Sequence, residues 1–162
     1  MSSQAVQLAI QPAAIADPVN KSDFVKPGTL FKAVETKASG VSYQPRFTPE
    51  SAQLEWLSCG EYSIEPGAKS EALSQATDES LLFMCKGSAE VEVGGKSYEL
   101  APYDTLYIPR GAEFQLSNLK SEVARVIQCS ATADNIHPVH HSSFAEYSKR
   151  EDRIRHLSGK DV

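Results

Sequence analysis

The sequence lacks histidine until late in the chain, and it holds few cysteines. All four histidines lie at or after His137. The three cysteines, Cys59, Cys85 and Cys129, are widely spaced, and no Cys-x-x-Cys pair occurs. An odd number at this spacing indicates free thiols rather than a disulfide framework. Free thiols fit a reducing compartment, so the expected location is cytoplasmic.

Long apolar runs and clusters of basic residues are also absent. No stretch of about 18 apolar residues occurs, so no membrane-spanning helix is expected. The mildly apolar start, Met1 to Ile15, is interrupted by glutamines and has no Lys or Arg before it, unlike a signal peptide. The formal net charge is −5. Without a basic patch, neither nucleic acid nor an anionic membrane surface is an expected partner.

What the sequence does contain is a series of short segments with strand character, separated by turn residues. Ala89–Val93 alternates apolar and acidic residues, and Gly94-Gly95 then leads into Lys96–Leu100, which predicts a hairpin. Many short strands at close spacing favour an all-β fold, an antiparallel sandwich or small barrel. We expect an N-terminal arm over residues 1–28, a barrel over 29–132, and a C-terminal extension over 133–162 with a short helix within Ser142–Leu157.

The turn residues between Gly67 and Asn118 have a specific spacing. They are Gly67, Gly87, Pro109, Gly111 and Asn118. In type and spacing these residues resemble the two motifs of the cupin superfamily, whose members fold as an antiparallel β-sandwich, or jelly roll. Glycine permits the positive φ of tight reversals, so these positions serve the fold independently of any chemistry. Tyr103 stands where the second motif begins with glycine.

The resemblance also implies four positions inside the barrel, where typical cupins place three His and one Glu around a divalent metal. Here these positions hold Leu73, Gln75, Ser80 and Phe114. None of these residue types is a strong transition-metal ligand. We therefore expect no metal or other cofactor in the barrel, and an interior packed as core.

Residues outside the motifs resemble one cupin branch more closely. Phe47 to Ala52, Trp56 and Pro66-Gly67 are similar to the first half of the 5-keto-4-deoxyuronate and 5-deoxyglucuronate isomerase family. Members of that family are two-domain cupins whose metal ligands lie in the second half. By this resemblance the chain corresponds to the N-terminal, metal-free half. The family reaction is an aldose–ketose isomerisation of a sugar acid, which places the chain near pectin and uronate metabolism.

Several residues outside the four ligand positions are candidates for binding. His137, His140 and His141 form a cluster in the C-terminal extension. A solvated loop explains it simply; the alternative is a divalent metal site that replaces the missing ligands. Arg110 is suited to a substrate carboxylate. Tyr107 and Gln115 are suited to hydrogen bonds with a sugar.

Three functions follow as hypotheses. The first is a cupin that is not catalytic alone and serves as a structural or partner half, associated with a separate metal-bearing cupin. The second is an active isomerase whose metal is supplied by the histidine cluster or by a partner. The third is a binding module for a small sugar acid. We favour the first, because all four ligand positions are replaced at once. A homodimer is also expected, because a small sandwich has open sheet edges to protect.

Overall fold

The computed structural model describes residues 34–35, 40–52 and 54–153. The arm predicted over residues 1–28, and the end of the extension after residue 153, lie outside the described residues. Among the described residues are ten strands: β1 Val34–Glu35, β2 Val41–Phe47, β3 Ser58–Ile64, β4 Asp78–Lys86, β5 Ala89–Val93, β6 Lys96–Leu100, β7 Thr105–Ile108, β8 Phe114–Ser117, β9 Ala124–Thr132 and β10 His140–Ser142. Short helices cover Pro49–Ala52 and Phe144–Tyr147, and a 3-10 turn covers Glu151–Arg153. None of the helices described is long and apolar enough to cross a membrane.

The strands form two antiparallel sheets. The larger has the order β1-β2-β3-β9-β4-β7-β10, and the smaller has the order β6-β5-β8. One core joins the inner faces of both sheets, because Leu82, Leu106 and Val126 of the large sheet cluster with Val91 and Leu116 of the small one. Each of these side chains is fully buried. The predicted antiparallel β-sandwich with a short C-terminal helix is therefore confirmed.

Strand β2 was not predicted, and a proline within it explains why. Pro45 interrupts the pattern, and proline normally argues against an internal strand. The register of β2 against β3 shifts between Pro45 and Phe47, so the proline lies at a bulge that tolerates the missing N–H group. Within β3, Gly60 makes room for β2, since a Cβ there would lie 2.2 Å from the ring of Tyr43.

The turn before β7 keeps its shape without the glycine of the motif. Tyr103 has a φ of 73°, in the left-handed region that glycine favours. Its N–H donates to the Met84 carbonyl at 2.7 Å, and its ring packs 5.3 Å from that of Phe144. The hydrogen bond and the aromatic contact offset a backbone strain of about 1–2 kcal/mol.

The C-terminal segment is held against the large sheet by Asp104. This buried carboxylate accepts hydrogen bonds from the N–H groups of Ala101, at 2.9 Å, and Phe144, at 2.8 Å. His141 Nε2 lies 3.4 Å from the same carboxylate. Strand β10, which the sequence did not predict, pairs with β7 beside this anchor.

Candidate functional site

Two of the four ligand positions, both apolar, pair with each other as an isolated antiparallel β-bridge. Leu73 and Phe114 exchange backbone hydrogen bonds, each 2.8 Å long. Phe114 belongs to the buried core, and Leu73 packs against that core. At these two positions the interior is therefore packed as core.

The other two ligand positions belong to a cluster of neutral polar side chains, which we call the barrel cluster: Gln75, Ser80, Gln128 and Ser130. Gln128 Nε2 donates to Ser80 Oγ at 2.9 Å. The hydroxyls of Ser80 and Ser130 are 3.0 Å apart and share a hydrogen bond that either can donate. Gln75 Nε2 donates to Ser130 Oγ at 3.2 Å. The four side chains thus form one connected chain of hydrogen bonds.

Strand register explains why the barrel cluster forms. Ser80 on β4 lies directly opposite Ser130 on β9, and Gln128 lies opposite Leu82 two residues along. Even-numbered residues of β9 point inward, so Ala124, Val126, Gln128 and Ser130 line one face. Ser80, Gln128 and Ser130 are only 2–3% exposed. The hydrogen bonds reduce the cost of burying these polar groups.

Sequence reasoning missed Gln128 and Ser130 because it considered only the motif positions. The available signal was the change along β9 from apolar inward positions, Ala124 and Val126, to polar ones. The sequence also did not identify Tyr43, because it did not predict strand β2. Its ring lies over Gly60, which is directly opposite Gln128. Burial raises the pKa of Tyr43, so this neighbouring phenol stays protonated at neutral pH.

The barrel cluster does not fit the transition metal that typical cupins hold. Its donors are two hydroxyls and two carboxamides, all neutral, whereas such metals prefer imidazole, thiolate and carboxylate. Among the described residues, no group of three or more His, Cys, Asp or Glu side chains is arranged to bind a metal ion. The cluster also lacks a side chain that gains or loses a proton near neutral pH, and so it offers no general base.

Tyr107 lies on the opposite face of the large sheet from the barrel cluster. It alternates with the buried Leu106 and Ile108, and its hydroxyl donates to Glu79 Oε2 at 2.7 Å. Desolvation, followed by the hydrogen bond to Glu79, raises its pKa. The structure does not bring Tyr107 together with Gln75 or Ser80.

Arg110 and Gln115 also lie apart from the interior hydrogen bonds. Arg110 Nη2 donates to the Asp134 carbonyl at 3.1 Å, while its buried Nε has no hydrogen-bond partner among the described residues. The neighbouring Gly111 N–H donates to the Gln75 carbonyl at 2.6 Å, so the Arg110 loop adjoins the backbone at one end of the barrel cluster. Gln115 Nε2, on β8, donates to the carbonyl of Ser70, in the segment beside that strand, at 3.3 Å.

The histidine cluster lies at the β10 edge of the large sheet, with side chains on both faces of that sheet. His140 and His141 are successive residues of β10, opposite Tyr107 and Leu106 respectively, so their side chains point to opposite sides. The ring of His137 lies 6.4 Å from that of Tyr107, whereas His141 faces Asp104. This arrangement does not bring the three imidazoles to one point.

Two surface depressions are open to solvent, and neither is lined by the barrel cluster. One, about 500 Å³, lies between the Gly94-Gly95 hairpin and the segment Ala112–Gln115, with Tyr98 and Val139 on its wall. The other, about 320 Å³, is bordered by Glu90, Ser97, Glu99 and Lys120. Both combine acidic and basic side chains, so neither provides a field of one sign for a charged ligand.

Comparison with known proteins identifies the fold. A cupin-domain family model matches residues 60–129, and no curated protein matches the chain. The Schizosaccharomyces pombe Cnp3 cupin domain superposes with a TM-score of 0.54 at 17% identity, over 63% of this chain and 69% of that one. Escherichia coli YlbA gives 0.64 at 14% identity, over 75% of this chain and 51% of that one.

A third solved structure belongs to a protein with metal centres. Bacillus subtilis oxalate decarboxylase, studied for its Mn(II) centres, gives a TM-score of 0.55 at 21% identity, over 67% of this chain and 29% of that one. The matched region thus spans about half of the E. coli protein and less than a third of the B. subtilis enzyme. At these identities the likeness shows the fold alone. Residues 60–129 thus match a cupin-domain family model, and the described part of the chain has the cupin fold.

Proposed function

We propose that this chain is a metal-independent cupin, not catalytic alone, that serves as the structural or partner half of a sugar-acid isomerase-like assembly. The observation that carries this proposal is the barrel cluster. Where the typical metal ligands would converge, the chain has a bridge of Leu73 and Phe114 beside neutral hydrogen-bonded side chains. An aldose–ketose isomerisation needs a base to move a proton between adjacent carbons, and the cluster supplies none.

Metal content and turnover test this proposal together. We expect the purified chain, incubated with Mn²⁺, Fe²⁺, Ni²⁺ or Zn²⁺ and then desalted, to retain much less than one metal per chain. We also expect no isomerisation of 5-keto-4-deoxyuronate or of galacturonate. The matched positive control is the fourfold variant Leu73→His, Gln75→His, Ser80→Glu and Phe114→His, which restores the ligand types of a typical cupin. Stoichiometric metal or turnover in the unaltered chain would overturn the proposal.

The histidine cluster is tested in the same experiment. A double variant, His137→Ala with His140→Ala, is expected to leave the metal content of the chain unchanged. Retention of metal by the natural chain and its loss in this variant would instead support an isomerase that uses the C-terminal extension. The partner role predicts that a metal-bearing cupin co-purifies with this chain from the native source. The isolated chain is expected to sediment as a homodimer.

A second candidate function is favoured by one observation at Arg110. The buried Nε has no partner among the described residues, although Nη2 is anchored to Asp134. The N–H groups of a guanidinium held in this way can donate hydrogen bonds to a carboxylate, and the Arg110 loop adjoins Gln75, whose partly exposed carboxamide suits a sugar hydroxyl. This arrangement would serve a binding module for a small sugar acid.

Ligand-induced stabilisation separates the two candidates. If galacturonate binds, a concentration of 100 times Kd stabilises the fold by about 2.7 kcal/mol, which raises Tm by about 5–10 °C for a chain of this size. Glucose, which lacks the carboxylate, and the Arg110→Gln variant are the controls. Absence of a shift with millimolar galacturonate or glucuronate would reject the binding module and leave the structural role.

A further inference from the structure

Two of the three free cysteines lie directly opposite each other in the large sheet. Cys59 on β3 is the register partner of Cys129 on β9. The Cys129 thiol donates a hydrogen bond to Cys59 Sγ, with the sulfur atoms 3.6 Å apart. The two residues are separated by 70 positions in the sequence, so only the strand pairing brings them together.

Both thiols lie on the outer face of the sheet, away from the core. From residue 60 to 64 in β3 and from 124 to 130 in β9 the even-numbered residues are buried, whereas Cys59 and Cys129 occupy odd-numbered positions. Each is partly exposed. Small reagents therefore have a route to the sulfur atoms that does not require the barrel to open.

The geometry of the pair is close to that of a disulfide. Opposite residues of an antiparallel pair have Cα atoms about 4.5–5.5 Å apart, within the range of about 4.4–6.8 Å that disulfides span. The sulfur atoms must approach from 3.6 Å to about 2.05 Å. Because β2 and β4 flank this strand pair on either side, most of that approach must come from side-chain rotation. A disulfide at these partly exposed positions lies within reach of thiols in solution, so it can be reduced again.

We propose that Cys59 and Cys129 form a reversible intramolecular disulfide by exchange with a low-molecular-weight disulfide. The thiolate of one cysteine attacks one sulfur of the reagent, which releases one reagent thiolate and leaves a mixed disulfide on that cysteine. The other cysteine then gives up its proton and displaces the second reagent thiolate. The two protein thiols are oxidised by two electrons, the reagent disulfide is reduced to two thiols, and the two protons balance the released thiolates.

The surroundings of the pair decide how fast these steps are. Burial, followed by the hydrogen bond between the two thiols, raises the pKa of Cys59 to about 12, despite the opposing effect of Arg46. Cys59 is therefore protonated at neutral pH. Because thiolates are the reactive species, oxidation should be slow at neutral pH and faster as the pH rises.

The proposed bond would also act on the barrel. Cys129 lies between Gln128 and Ser130, whose side chains point inward to the barrel cluster. A bond to β3 would fix this part of β9 and close a long loop, which removes conformational freedom from the unfolded chain. This inference does not depend on the proposed function, since it concerns thiols on the other face of the sheet.

Equilibration of the full chain with oxidised glutathione, followed by peptide mapping without reduction, tests the proposal. We expect the intact mass to fall by two hydrogens, the count of free thiols to fall from three to one, and a cross-linked peptide pair to contain Cys59 and Cys129. We also expect Tm to rise by at least about 5 °C, and dithiothreitol to reverse every change. The Cys85→Ser variant is the matched control and should still form the bond, whereas Cys59→Ser and Cys129→Ser should not.

Three results would overturn the inference. They are the persistence of all three thiols at high oxidised glutathione, a stable glutathione adduct on Cys129 with Cys59 still free, and a cross-link through Cys85 or between chains. Because the mapping uses the unaltered chain, the test stands even if a cysteine variant fails to fold.

Discussion

The barrel cluster makes a quantitative prediction about Ser80, which connects its two halves. The Ser80 hydroxyl accepts from Gln128 at 2.9 Å and shares a hydrogen bond with Ser130 at 3.0 Å. Ser80→Ala removes both interactions without adding bulk. Gln128 would then keep a carboxamide that is buried away from water and has lost its partner. Ser130 would keep the hydrogen bond from Gln75, so most of the damage falls on Gln128.

The magnitude follows from burial. Leaving one buried polar group without a partner costs about 1–3 kcal/mol, and a net hydrogen bond contributes about 0.5–1.5 kcal/mol. Gln128 is 2% exposed, so water cannot replace the lost partner at the surface. We therefore expect Ser80→Ala to lower the free energy of unfolding by about 2–4 kcal/mol, which corresponds to a fall in Tm of about 5–15 °C.

Urea unfolding, followed by circular dichroism, measures this change. Ser97→Ala is the matched control. Ser97 is an exposed serine in a strand, and among the described residues its hydroxyl bonds to Glu90. The Ser97→Ala substitution should change the free energy of unfolding by no more than about 0.5 kcal/mol. The double variant Ser80→Ala with Gln128→Leu removes the unpartnered amide as well. It should be more stable than Ser80→Ala alone by at least about 1 kcal/mol, since replacing both partners by apolar groups can be nearly neutral.

Two results would refute this reasoning. A loss below about 0.5 kcal/mol for Ser80→Ala would mean that the hydrogen bonds of the barrel cluster contribute little to the fold. A double variant whose loss is the plain sum of the two single losses would mean that Ser80 and Gln128 do not interact. Stabilisation by Ser80→Ala would point instead to a cluster retained for a ligand at the expense of stability.

Three further predictions concern the frame around the cluster. Asn118→Ala should cost about 3 kcal/mol in urea unfolding, because the fully buried carboxamide donates to two backbone carbonyls, at 2.9 and 2.7 Å; a loss under about 1 kcal/mol would contradict this role. Gly60→Ala should cost more than about 2 kcal/mol, because its Cβ would meet the Tyr43 ring, and Tyr43→Ala should abolish most of that additional cost. Burial raises the pKa of Tyr62 above the ordinary value of 10.0, so the unfolded state loses this proton first and stability should fall as the pH rises from there through the folded pKa. Unfolding at graded alkaline pH measures that fall, and Tyr62→Phe should reduce it; an equal fall in both proteins would assign it elsewhere.

The core strands were predictable from sequence, and the exceptions have physical causes. Alternation identified Ala89–Val93, and the diglycine turn identified its hairpin partner, because both signals are local. Strand β2 was hidden by Pro45, which only the bulge against β3 makes acceptable. Strand β10 has three residues and two histidines, and it exists because the C-terminal segment returns to β7 beside Asp104. Such a contact between distant residues leaves no periodic pattern in the sequence.

The candidate site was predictable only in part. Motif spacing pointed to Ser80, Phe114 and Leu73; the first two are buried, and Leu73 packs against the core. It did not find Gln128 and Ser130, since these residues join the cluster through the pairing of β9 with β4, 48 and 50 positions from Ser80. The contact between Cys59 and Cys129 has the same origin. Strand register across the sheet is the information that a single sequence does not display.

The turn positions and the ligand positions of the motifs differ in what they still provide in this chain. The positions that shape turns retain their types, and Asn118 ties the loop after β8 to the end of β3 through the Ile64 carbonyl. Tyr103 shows that even a lost glycine leaves the turn intact, because a hydrogen bond and ring contacts hold it at positive φ. The ligand positions instead hold the two residues of the apolar bridge and two residues of the barrel cluster. Because the turns determine the fold and the interior needs only satisfied polar groups and close packing, the barrel can form without metal ligands at these four positions.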